Sequence, residues 1–175
     1  MEGPVNVYAI YYGDWSKDSA GKAILANLFT NIGNTPYYKI QQTYTNAAGT
    51  PLSATINFKG GVSSTYAYSN GITLSDADII SIVLAAFNAV QFPVDANGVY
   101  FVLTSPDVQQ GTTTYGFCNT YCGWHDFFTT NSGVNIKYSF VGNPANCIDA
   151  CSYNTVVSPM VTQVSTQWPV LLFMN

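Results

Sequence analysis

The chain has 175 residues, a net charge of −4 and only 8% charged residues, against about 25% in ordinary soluble domains. That length fits one domain with a real core. Five Lys and Arg cannot form the cluster that phosphate-backbone binding requires, so nucleic acid is excluded as a partner, and no basic run supports attachment to a membrane surface.

Asn, Thr, Ser, Gln, Gly and 13 Tyr take the place of the missing charge, a composition that leans toward a secreted or wall-associated surface. No stretch reaches the ~20 apolar residues of a membrane span; the best run, 79–92, is broken by Ser81, Asn88 and Gln91. The opening MEGPVNVYAIYY lacks the basic and long apolar regions of a signal peptide. Either the protein is intracellular or the chain begins inside a longer precursor.

In chain order, the apolar and aromatic run 5–12 reads as a buried strand ended by Gly13-Asp14. Ser16 or Asp18 can cap a helix in which Ala20, Ala23, Ile24, Leu28 and Ile32 recur at helical spacing, with Gly33 closing it and Pro36 forbidding continuation. Residues 37–45 mix β-branched and aromatic types and predict a strand. A further strand is expected over 54–59, ended by Gly60-Gly61. Ser75 followed by Asp78 is a capping box. It opens a helix to about Val90 with Ile79, Ile80, Val83, Leu84 and Phe87 on the buried face. Residues 99–104 are another buried strand, 109–114 a loop, and 136–141 an alternating strand between two cysteine loops. The order predicts an α/β layered single domain: a mixed central sheet flanked by helices, with strands 5–12 and 99–104 at its centre.

The segment FCNTYCGWHDFF holds Cys118, Cys122, Trp124 and the only histidine, His125; Cys147 and Cys151 repeat the three-residue gap. Paired cysteines at this spacing suit a structural zinc site with His125 as a spare ligand. In a chain this poor in Lys and Glu they read better as two disulfides closing loops around strand 136–141, with the connectivity open. The gaps are too long for a redox Cys-x-x-Cys motif. His125 and Asp126 are neighbours, so on a strand they would face opposite ways and could not work as a dyad; the simpler reading of His125 is a loop histidine donating to a backbone carbonyl. Asp14 and Asp107 follow the two central strands, where ligands gather in α/β sheets, although turn formation explains both equally well. Trp15 and Trp124, with His125, Asp14 and Asp107, are the candidate surface binding residues, Trp15 and Trp124 for stacking on sugars. No Gly-rich phosphate loop is present.

The blocks GPVNVYAIYYGDW, FPVDANGVYFVLTSPDV, FCNTYCGWH, YSFVGNPANC and CSYN resemble the phosphate-induced protein 1 family, also called EXORDIUM-like proteins, over residues 3–159. The resemblance implies a secreted protein of the apoplast or cell wall, linked to growth or extracellular signalling. It implies a signal peptide upstream of Met1, an unidentified extracellular partner, and disulfides over zinc at Cys118, Cys122, Cys147 and Cys151.

After the second cysteine pair the family continues with an acidic glycine-containing turn and a helix carrying His-Glu, the first half of a zinc-hydrolase motif. This chain reads SPMVTQVSTQWPVLLFMN. Restoring one base before the codon of Met160 lets the following nucleotides encode the acidic turn and the His-Glu pair, so residues 160–175 are expected to be an out-of-frame tail beyond a domain at 3–159. The chain as written then acts by binding and not as an enzyme, with no cofactor of its own and zinc confined to full-length relatives. The alternative expectation is a zincin-like scaffold, half of a zinc-dependent hydrolase that lacks its active-site helix.

Overall fold

The apolar runs beginning at Val5 and Val99 become adjacent central strands. The structure is a computed structural model that describes residues 3–64 and 68–151. In chain order its elements are strand β1 (Val5–Tyr12), helix α1 (Ser19–Asn31), the short helix α2 (Pro36–Lys39), strands β2 (Ile56–Ser63) and β3 (Thr73–Leu74), helix α3 (Asp76–Asn88), strands β4 (Gly98–Thr104), β5 (Gln109–Gln110), β6 (Gly123–Thr129) and β7 (Asn135–Val141), and the short helix α4 (Ile148–Cys151). The main sheet has the order β2-β1-β4-β7-β6. It is parallel except for β6, which runs antiparallel to β7. β3 and β5 form a separate parallel pair.

β1 and β4 read as unbroken apolar runs because both faces are covered. On one face Phe29 of α1 packs on Phe58 and Phe101, with ring centroids 5.5 and 5.1 Å apart. On the other, Phe87 of α3 meets Tyr100 edge-on at 4.9 Å, and Tyr100 stacks on Tyr8 at 4.7 Å. Such ring pairs contribute about 0.5–1.5 kcal/mol each beyond their burial. The Ser75–Asp78 capping box that starts α3 is present in full.

The expectations fail in several places. Gln109 and Gln110, expected in a loop, pair with β3 as β5. In α1 the buried residues are Gly21, Leu25 and Phe29, whereas Ala20 and Ala23 are exposed. Of residues 37–45, those up to Thr43 are helical: the Thr35 side chain accepts from the Tyr38 N–H, Pro36 occupies the first helical turn, and a 3-10 turn over Ile40–Thr43 follows. Proline that blocks one helix is also suited to begin the next. β2 does not end at Gly60-Gly61 but passes through them to Ser63. Gly60 takes a left-handed φ of 102° beside a register shift opposite β1, and a Cβ on Gly61 would lie 2.5 Å from the Tyr11 ring. Leu84 is exposed, whereas Ile82 and Ala86 are buried. His125 sits on strand β6, not in a loop, because residues 123–129 pair with β7 as a hairpin. The zincin-like scaffold gains no support from the described residues, which form a mostly parallel sheet flanked by helices. Residues 160–175, the expected aberrant tail, lie outside the described residues.

Candidate functional site

Two groups of side chains meet at the rim formed by the carboxyl ends of the parallel strands. The first is where the strand order reverses, between β1 and β4, the usual place for a ligand in an open α/β sheet. Here Asp14 and Asp107 do come together. The Tyr68 hydroxyl donates to the Asp107 carboxylate and accepts from the Asp14 N–H at 3.1 Å. Ser105 Oγ donates to the other Asp107 oxygen at 2.7 Å, and the Ser16 N–H donates to Asp14 Oδ1 at 2.9 Å. Gly13, at φ 90°, lets the chain turn against Ser105, whose Oγ would lie 1.9 Å from any Cβ there. Burial works to raise the Asp107 carboxyl, but hydrogen bonds from Tyr68 and Ser105 outweigh it and hold it below its ordinary value. Asp14 is also held low, by its bonds from Ser16.

The second group forms a cleft of about 620 Å³ lined by Ser75, Asp76, Gly111, Thr112, Tyr115, Tyr121, Gly123, Trp124 and His125, within the range of small-molecule sites. Its organiser is Gln110, 2% exposed. Gln110 Oε1 accepts from the Tyr121 hydroxyl at 2.5 Å and from the Trp124 indole N–H at 3.0 Å. With the carbonyl oxygen so engaged, the amide nitrogen faces Asp76 and donates to its Oδ1 at 2.6 Å. Burial first, then the Asp76 charge and Tyr115, pushes the Tyr121 phenol up, so it remains a donor. Tyr115, 67% exposed, meets Tyr121 edge-on at 5.8 Å. Its loop is closed by Thr112, whose Oγ1 accepts from the Tyr115 N–H at 2.9 Å.

Disulfides hold this wall of the cleft. Cys118 pairs with Cys147 and Cys122 with Cys151. Each bridge ties a position just before β6 to the segment after β7. With all four cysteines bonded to one another, the zinc arrangement is ruled out at these positions. Among the described residues no group of three or more His, Cys, Asp or Glu could hold a metal ion, and no helix is long and apolar enough to cross a membrane.

The structure therefore sorts the expected binding residues. Trp124 and His125 line the cleft. His125 and Asp126 stand opposite Ser139 and Tyr138 on successive positions of β6, so they face opposite sides of the sheet. Asp14 and Asp107 lie at the first group. Trp15 is not a surface residue: it is 4% exposed, donates its indole N–H to the Tyr12 carbonyl at 3.1 Å and packs edge-on against Tyr11. Sequence reasoning missed Asp76, Gln110, Tyr115 and Tyr121. Asp76 was hidden inside a capping signature, and Gln110 inside a loop. The available signal was the pair of tyrosines on either side of Cys118, aromatic residues in a segment that disulfides tie down.

A sequence model of the phosphate-induced protein 1 conserved region matches residues 1–167. The chain is similar to Protein EXORDIUM-like 5 of Arabidopsis thaliana, 31% identical over 161 residues, which is 86% of this chain and 42% of that relative. The chain thus spans well under half the length of the curated relative it matches. No solved structure matches. The match runs through both central strands, the cleft and all four cysteines, and on it the chain belongs to the phosphate-induced protein 1 family.

Proposed function

We propose that the protein is secreted to the apoplast or cell wall and serves growth or extracellular signalling by binding a partner in the rim cleft. The observation that carries this reading is the Gln110 network: one buried amide orients Tyr121, Trp124 and Asp76 around a cleft. These groups offer aromatic surface and hydrogen bonds in a fixed arrangement, which suits recognition. Two disulfides support an oxidising compartment, as does the low charge of the chain.

The test has two parts. The full precursor, expressed in plant cells with a C-terminal tag, is expected in the extracellular fluid or wall fraction with no free thiol. Purified protein is expected to be retained on isolated wall material, and Tyr115→Ala is expected to reduce retention at least tenfold with an unchanged melting temperature. Intracellular accumulation with four titratable thiols, or retention indifferent to Tyr115, overturns the reading.

A further inference from the structure

The lining of the cleft narrows what it can hold. The polar ends of Tyr121 and Trp124 are both turned to Gln110 Oε1, so these residues present mainly ring carbons to the cleft. Tyr115 stands at the mouth, exposed over most of its surface and held by Thr112. Asp76 gives one oxygen to Gln110; among the described residues its Oδ2 accepts no hydrogen bond, and the residue is exposed. The lining contains no Lys or Arg, and the whole chain is acidic.

Each feature excludes a ligand class. A phosphate or carboxylate ligand would meet Asp76 with no Lys or Arg in the lining to offset the repulsion. A purely apolar ligand would cover the carboxylate and leave it unpaired, which is costly. A ligand with apolar faces and many hydroxyl donors fits both halves: its C–H faces lie on the rings and its hydroxyls donate to Asp76 Oδ2. Pyranose rings have that character, and an open cleft with its aromatic at the mouth suits a length of polymer.

We propose that the cleft takes a neutral glycan segment, stacked on Tyr115 and Tyr121 and hydrogen-bonded to Asp76, and that Asp76 is the residue that turns away uronate-bearing glycans. This rests on the reading that the cleft is a binding site, and the two fail differently. The probes are cellohexaose, xylohexaose, hexagalacturonate and hexalysine, each titrated by calorimetry against the full chain. At least one neutral oligosaccharide is expected to bind, with hexagalacturonate at least tenfold weaker. Tyr115→Ala should weaken the neutral ligand at least tenfold. Asp76→Asn, which keeps an acceptor for Gln110, should narrow the gap between neutral and acidic ligands severalfold. Tighter binding of hexalysine or hexagalacturonate overturns the neutral-glycan assignment while leaving the cleft a binding site. So does binding of no probe by a protein whose wall retention still depends on Tyr115. Retention independent of Tyr115 removes the underlying reading as well.

Discussion

The switch point between β1 and β4 and the cleft beside β6 lie on the same rim, and both carry an aspartate and a tyrosine. They differ in what their carboxylates are bonded to. Both oxygens of Asp107 accept from side chains of the chain itself, Tyr68 and Ser105, and Asp14 caps the turn through the Ser16 N–H. At the cleft, Gln110 holds one oxygen of Asp76 and leaves the other exposed. A carboxylate whose acceptors are already engaged stabilises a turn, and one that is oriented but half engaged is prepared for a ligand. At the position that fold rules favour the Asp107 carboxylate is thus closed by its own hydrogen bonds, and at the one they do not mention the Asp76 carboxylate is half open.

The sharpest way to break this contrast is to release the cleft wall. Each bridge spans a sequence separation of 29, for which loop entropy predicts about 3.6 kcal/mol. Replacing Cys122 and Cys151 by serine should lower the melting temperature by roughly 10 °C. Ligand binding should fall at urea concentrations where the β2-β1-β4 half still resists hydrogen exchange. Uniform loss of protection across the sheet would show that the bridges staple the whole domain and not the cleft.

Gln110→Leu and Gly13→Ala form a matched pair, one in each region. The first leaves the Trp124 indole N–H and the Tyr121 hydroxyl facing a buried apolar side chain, at a cost of about 3 kcal/mol. The second forces a Cβ onto Ser105 at a left-handed backbone position, at a cost of about 2 kcal/mol. Urea titration should find both destabilised. Only Gln110→Leu should lose ligand affinity when measured below its unfolding transition. Equal losses in both would make the switch point part of the site.

The pattern of what could be read from sequence follows the same division. The central strands, α3 and the capping box are visible because burial on two faces, or one stripe at helical spacing, imprints a period on the residues; in α1 the helix was legible but its stripe was read one position early, since Gly21, Leu25 and Phe29 are the buried residues. Residues 37–45 lack such an imprint: Tyr37, Ile40 and Tyr44 are aromatic or branched yet 55%, 59% and 67% exposed, and the Thr35–Pro36 cap decided their conformation. β6 was hidden by the cysteines that precede it and by its open face, where Phe127 is 60% exposed. Asp14 and Asp107 were legible because strand ends are a general rule. Gln110 was not, because its role depends on three partners brought from α3 and from the two sides of Cys122. Trp15 shows the converse error: tryptophan suggests a stacking surface, but this one fills the core beneath Tyr11.

The smallest expected effect completes the comparison. The folded Asp107 carboxyl is held below its ordinary value, so its contribution to stability is full above about pH 4, the range of an unfolded aspartate. It is lost as pH falls through the folded value. Solvent screens this partly exposed group, so Asp107→Asn should cost less than about 1 kcal/mol at neutral pH. The difference between wild type and variant, followed by urea titration, should stay constant from pH 7 to about pH 5 and vanish on further acidification. Ligand affinity should be unchanged by Asp107→Asn, whereas Asp76→Asn should alter selectivity with little change in stability. If Asp107→Asn instead shifted ligand affinity, the hydrogen bonds from Tyr68 and Ser105 would have to open on binding. The switch point would then be a second half of the site, held shut in the free protein.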